Sequence, residues 1–331
     1  MSKRRVVVIA LGGTISSAPA PGGGVRPTLS ARDLVDAVPV LASVAEVEVA
    51  ASERAPVAGP QLDLTTLVDV GRQITTLFDD GCDGVVVTQG TDTLEETAFA
   101  LDLLVGGRGP IAVTGAMRDP TLPGADGSAN VLAAVTVVAD GCTSGIGTVV
   151  VFGDEIHAAR WVRKTHSTLP ATFESVTGPL GWLTENRPRI LTTPAQPLPR
   201  VPVDQVSDEV PPVLLLRAAI GDDGRVLDHA ASLGYEGVVY EGFGGGHVHP
   251  EVAARLKTLA ATMPVVLASR THGGELLLDT YSFIGSERDL RGHGLLGSHL
   301  LDGAKARIAL SFVLASGARE AGLAQIFSAL D

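Results

Sequence analysis

Residues 84–105 read GVVVTQGTDTLEETAFALDLLV, and the fold is decided in this stretch. Gly84–Thr88 is an unbroken apolar run, the pattern of a strand covered on both faces. A glycine–threonine turn follows. From about Leu94 to Val105 the pattern is helical, with Glu95 and Glu96 in the first turn, where the helix dipole favours acid. A strand leading through a short loop into a helix is half of a βαβ unit. The alternation extends upstream through a strand at Arg5–Ala10, a helix capped by Ser30 and running through Leu34 and Val35 to Val38, and a strand at Val47–Ala50. Apolar residues at helical spacing then predict a helix over Leu64–Phe78. Downstream come a strand at Ile111–Thr114, a helix across Ala129–Ala139 and a strand at Thr148–Phe152. The expected fold is a larger α/β domain over residues 1–191, its sheet mainly parallel and its helices on both faces.

Between Thr192 and Pro212 the texture changes to TTPAQPLPRVPVDQVSDEVPP, with six prolines that exclude a helix and suggest an extended linker. The α/β rhythm then resumes: strands at Val213–Arg217, Gly237–Tyr240 and Val265–Ala268, helices near Val226–Leu233 and Val252–Ala261, and a last helix over Ala304–Leu314. Residues 213–331 are therefore expected to form a smaller C-terminal α/β domain.

Bulk properties narrow the function. Aromatic residues are 4% of the 331, too few for a binding module built on aromatic stacking. The net charge is −12, and Lys3-Arg4-Arg5 is the single basic cluster, which argues against a nucleic-acid partner. The apolar run after that cluster stops at Gly12-Gly13, as a strand does and a signal peptide does not. No stretch reaches the length of a membrane span, so no membrane partner is expected. Cys82 and Cys142 form neither a disulfide framework nor a metal-ligand spacing. A cytoplasmic protein is the expectation.

In an open parallel sheet, ligands bind beyond the carboxyl ends of the strands. The first strand ends in LGGTIS. This is not the GxGxxG of dinucleotide loops, and no acidic residue closes a second strand at the required distance. The glycines instead let the backbone lie flat, exposing the Thr14 hydroxyl beside N–H groups able to hold an oxyanion. Gly84–Thr88 exits into TQGTDT, offering Thr91, Asp92 and Thr93; the bland alternative is that Asp92 or Thr93 caps the next helix. A third exit, after Thr148–Phe152, carries Lys164. In a dry pocket beside Arg160 and Arg163 its neutral amine would be favoured, the form able to take a proton from a threonine. His247-Val-His249 lacks an obvious third ligand, so no metal is expected. His157 and His166 read as hydrogen-bonded structural histidines.

These motifs support a wider comparison. LGGTI, QGTDT, VTGAMR, GADGSAN and DEIHAARWVRKT occur in an order and at spacings that resemble the bacterial asparaginase/glutaminase family, and the resemblance extends through the connector to GFGGGH. It implies an amidohydrolase that cleaves the side-chain amide of asparagine, and glutamine less, without a cofactor. Thr14 is implied as the nucleophile that takes the acyl group, with Thr91, Lys164 and Asp92 as a second triad. The implied substrate contacts are Gly13, Gly59, Pro60, Gln61, Gly90, Asp92 and Ala116. His247 and Glu287 are implied to come from a neighbouring subunit of a dimer or tetramer whose C-terminal domain completes the pocket.

Three departures stand out. Gln89 occupies a position where the family commonly has histidine, for which a structural effect alone is expected. No tyrosine precedes Tyr235, so the loop after Thr14 lacks the usual one and offers Arg26, Pro27 and Thr28. The serine expected near VAGPQLD is replaced by Gly59, Pro60 or Gln61. The departures bear on substrate identity, leaving a related amidohydrolase for another amide, or a non-catalytic ligand sensor, as alternatives.

Overall fold

The computed structural model describes residues 3–20, 22–51, 57–317 and 319–328. The chain divides into two compact units, Met1–Val203 and Asp204–Asp331.

In the first unit the apolar runs stack as an eight-stranded sheet. Its order is Arg187–Ile190, Gly181–Thr184, Glu155–Ala158, Thr148–Phe152, Ile111–Thr114, Gly84–Thr88, Arg5–Ala10 and Glu46–Ala50. The five strands from Thr148–Phe152 to Glu46–Ala50 are parallel, and the remaining three pair antiparallel. Arg5–Ala10 is first in the chain yet lies between Glu46–Ala50 and Gly84–Thr88, so the winding reverses beside it. Such a reversal opens a crevice at the carboxyl ends of the adjoining strands.

Helix Gly127–Asp140 covers one face. Its Val131, Ala134, Val135 and Val138 join Val6, Val8, Val86, Ala112 and Val149 in one buried core. Helices Leu64–Asp79 and Leu94–Val105 pack on each other, and the latter also lies against the strands Ile111–Thr114 and Thr148–Phe152. Each fully buried valine or leucine contributes about 1.5–3 kcal/mol relative to exposure, which makes this sheet a stiff platform for its exit loops. Ser30 caps the Ala31–Asp36 helix reciprocally with Asp33. The start of the proline-rich stretch lies on this unit: Leu198, Val201 and Val203 are buried, and Val201 N donates to the Leu103 carbonyl.

The second unit holds a parallel sheet in the order Val213–Arg217, Gly237–Gly242, Val265–Ser269 and Leu296–Gly297. Helix Pro250–Ala260 shares a core with it through Val252, Ala253 and Leu256. Two expectations need correction. The helix near Val226–Leu233 is only a 3-10 turn, Arg225–His229, because Leu227 and Ala230 are buried but Val226 and Leu233 face solvent. That leaves no apolar stripe to support further turns. The helix Gly303–Ala315 is not the last, since Gly317 adopts a left-handed φ of 68° and Arg319–Ser328 follows, burying Ile326 and Phe327.

Among the described residues no helix is long and apolar enough to cross a membrane.

Candidate active site

The crevice is built on a contact that only glycine permits. Gly13 sits at φ 84° with its N–H bonded to the Val57 carbonyl. A Cβ there would overlap the nitrogen and Cα of Gly90 and stand 2.7 Å from the carbonyl carbon of Gln89. A Cβ on Gly90 would in turn lie 3.2 Å from the nitrogen of Gly59. Three loops therefore meet backbone to backbone: the exit of Arg5–Ala10, the turn Gly59–Gln61 and the exit of Gly84–Thr88. Thr14 and Thr91 are each the next residue beyond this crossing. Each opens a single 3-10 turn, Thr14–Ser16 and Thr91–Thr93. Thr14 is half-buried and Thr91 buried.

Lys164 completes the cluster. Its Nζ donates to Thr91 Oγ1 at 2.9 Å and to Asp92 Oδ1 at 2.6 Å. The lysine side chain is 14% exposed and that of Asp92 64%, so the amine is sheltered while its carboxylate partner reaches solvent. An ion pair this open adds little to stability, and its consequence is orientation of the amine.

Lys164 arrives by a route that differs from the expected one. The chain leaves Thr148–Phe152, turns back antiparallel along Glu155–Ala158, and then forms the strand Val162–Lys164, paired with Phe173–Ser175. The Lys164 N–H is anchored on the Glu95 carboxylate, in the first turn of helix Leu94–Val105. Arg160 does not neighbour the lysine. Its guanidinium is buried, 3.9 Å from Asp102 near the far end of that helix, and bonds the Gln196 carbonyl. Burial pushes the Asp102 carboxyl up to about 6, against the opposing pull of Arg160 and the Thr148 N–H. The simple capping account also fails: Thr93 is the helix N-cap but makes no side-chain cap bond, and its hydroxyl donates to the Gly59 carbonyl instead.

A fourth exit carries Ala116, which is buried. Asp126 receives the N–H groups of Met117 and Arg118 at 3.0 and 2.9 Å. Asn130, one helical turn on, donates to the Gly115 carbonyl and accepts from Gly153 N, both at 3.0 Å. Sequence reasoning missed Glu95, Asp126 and Asn130 as positioning groups; the i, i+4 spacing of Asp126 and Asn130 at a helix start was the available signal. In the Gly59–Gln61 turn, the Ala58 N–H donates to Gln61 Oε1, leaving the exposed amide nitrogen to donate. Pro60 supplies neither hydroxyl nor N–H.

His247 and Glu287 stand together in the second unit, Nε2 to Oε2 3.1 Å. Glu287 is fully buried. Burial would raise its carboxyl, but N–H groups of Tyr281, Glu287 and Thr280, with His247, hold it below the ordinary range. Tyr281 and Phe283 present their rings edge-on to His247 at 5.0 and 5.1 Å. His249 accepts from Glu251 N at a helix start, His166 Nδ1 accepts from Thr168 N and Leu169 N, and buried His157 bonds Ser175. No group of three metal-binding side chains occurs among the described residues.

Residues 5–196 match the family described as Asparaginase, N-terminal, and residues 212–327 match the Glutaminase/Asparaginase C-terminal domain. The doubly wound sheet and the family matches together define a class: an amidohydrolase of the asparaginase type. The chain belongs to the asparaginase family. It is 32% identical to L-asparaginase of Bacillus licheniformis, over 95% of this chain and 96% of the relative. It is 34% identical to a probable L-asparaginase of Deinococcus radiodurans, covering 98% and 97%, and 32% identical to L-asparaginase 2 of Escherichia coli strain K12, covering 98% and 92%. Its structure is similar to that of a probable cytoplasmic L-asparaginase from Campylobacter jejuni. The TM-score is 0.86 and the identity 26%, over 98% of this chain and all of the other.

Proposed function

We propose that the protein hydrolyses the side-chain amide of L-asparagine, and of L-glutamine less readily, to the acid and ammonia. The observation that carries this is Lys164 Nζ at 2.9 Å from Thr91 Oγ1, beside the glycine crossing that Thr14 follows. The Thr14 hydroxyl attacks the amide carbon, and backbone N–H groups at the crossing hold the developing oxyanion. The C–N bond breaks, ammonia leaves with the hydroxyl proton, and the acyl group remains as an ester on Thr14. Water passes a proton to Thr91 Oγ1 as that hydroxyl passes its own to Lys164 Nζ, and attacks the ester carbon; the C–O bond to Thr14 breaks, the Thr14 oxygen takes the proton back, and the acid leaves. Asp92 holds the amine on Thr91 and, with an oxygen open to solvent, accepts from the substrate ammonium. Gly59, Pro60, Gln61, Gly90 and Ala116 line the remainder of the pocket. No step calls for a cofactor or metal.

In the second unit, exposed Tyr281 and Phe283 beside His247 and Glu287 form a face suited to a second copy of the chain. We read it as the surface that completes a neighbour's pocket in a dimer or tetramer. The name of the similar Campylobacter structure favours a cytoplasmic location.

A second reading, an amide other than free asparagine, is favoured by Pro60, which supplies no donor beside Gln61. Ammonia release from asparagine, glutamine and a panel of larger amides, ranked by kcat/KM, separates the two. Thr91→Val is expected to lower kcat about a thousandfold. Undiminished turnover in that variant would remove the triad; a larger amide ranked first would favour the second reading.

A further inference from the structure

Beneath the glycine crossing lies a side chain that this scheme does not use. Gln89 is fully buried. Its Nε2 donates to the Gly90 carbonyl at 3.2 Å and to Thr93 Oγ1 at 3.3 Å. Thr93 Oγ1 donates in turn to the Gly59 carbonyl at 3.3 Å. The hydrogens balance: the amide nitrogen has two, the hydroxyl accepts one bond and gives one, and both carbonyls only accept. The count also settles which end of the amide faces the loops, since Oε1 has nothing to give to a carbonyl. Oε1 is left buried with no partner among the described residues. A stranded acceptor is costly, and leucine or methionine would fill the volume without that cost. The donor end is therefore what the position uses.

We propose that Gln89 is a positioning residue: acting through Thr93, its amide nitrogen holds the Gly59–Gln61 turn against Gly90 and thereby sets substrate affinity rather than the rate of the chemical step. The inference rests on the site reading above. The other bonds of the turn are local, Gln61 N to Ala58 O and Leu62 N to Gly59 O. The Thr93 hydroxyl ties it to the loop that carries Thr91. A carboxylate at position 89 would have no hydrogen to give. An imidazole carries at most one hydrogen on each nitrogen, so neither atom alone could make both bonds.

The test compares wild type with Gln89→Glu and Thr93→Val, measuring kcat and KM for asparagine across the pH range and hydrogen–deuterium exchange over residues 57–62. Near pH 8, Gln89→Glu is expected to raise KM about tenfold with kcat little changed. The defect should shrink as the pH falls and the carboxyl regains a hydrogen, an acid limb that wild type lacks. Thr93→Val should raise KM similarly, and the double variant should add little more, as expected of one chain of bonds. Exchange over 57–62 should quicken in both variants. An unchanged KM, a fall confined to kcat, or unchanged exchange overturns the proposal. Should Gln89→Glu not fold, Thr93→Val, which keeps the shape of threonine, decides by KM and exchange. Should wild type release no ammonia from asparagine, the catalytic reading fails by itself, and exchange alone judges the brace.

Discussion

Replacing Gly13 by alanine tests the backbone crossing on which both threonines depend. The substitution has two separable costs. At φ 84° and ψ −170° Gly13 lies in a backbone region essentially reserved for glycine, where an L-residue is strained by about 1–3 kcal/mol, independent of its surroundings. The new Cβ would also overlap Gly90 and stand 2.7 Å from the Gln89 carbonyl carbon. Carbon contacts are comfortable at about 3.5–4.0 Å, and because the new Cβ falls on the Gly90 backbone the two loops must part by about 1.5 Å. Overpacking of this kind costs roughly 1–3 kcal/mol more. Displacing reactive groups by about 1 Å is worth about a hundredfold in rate. Gly81→Ala provides the control: its φ is 81° and nothing lies within 4 Å of the added methyl. Urea unfolding should give a loss of about 1–2 kcal/mol for Gly81→Ala, with kcat/KM unchanged. Gly13→Ala should lose about 2–6 kcal/mol and at least about a hundredfold in kcat/KM. If Gly13→Ala kept wild-type activity and matched the control in stability, the crossing would not be what positions Thr14 and Thr91.

Two further outcomes follow from the same geometry. Lys164→Met should lower kcat about as far as Thr91→Val, and the double variant should be no slower than either, because a hydrogen-bonded pair acts as one unit; additive losses in a double-mutant cycle would separate them. Burial holds the His157 imidazole down at about 4, against 6.5 for a free side chain. Between those values the unfolded chain binds a proton that the folded chain refuses, so this contribution is complete above about pH 6.5 and is lost as the pH falls toward 4. The Glu155 carboxylate, 3.2 Å from Nε2, favours the protonated ring and opposes this, so the loss is at most about 3 kcal/mol. His157→Gln, which can still bond Ser175, should remove that slope from pH-dependent unfolding; an identical slope in the variant would contradict the assignment.

Much of this protein was legible in one dimension, for a physical reason. A strand buried on both faces must be apolar throughout, and a helix against it must show apolar spacing near 3.6, so Gly84–Thr88, Leu94–Val105, Ile111–Thr114 and Thr148–Phe152 carry their boundaries in local pattern. Glycine before threonine at two strand exits singled out Thr14 and Thr91, which stand just beyond the Gly13–Gly90 contact. The short antiparallel strands Glu155–Ala158, Gly181–Thr184 and Arg187–Ile190 escaped, since each holds four residues of mixed polarity and is formed by its neighbours in the sheet.

What only the tertiary structure decided is which distant atoms meet. Lys164 lies 73 positions from Thr91, and the hairpin that brings it back along the sheet has no local signature. Arg160, four residues earlier, is drawn to Asp102 at the other end of a helix. The pairing of Gly13 with Gly90, and the chain of bonds from Gln89 through Thr93 to Gly59, likewise depend on three loops arriving at one point. Periodicity records what a residue needs from its surroundings, apolar cover or solvent. It does not record which partner supplies a particular hydrogen bond, because that is set by the register of a sheet closed by long-range packing.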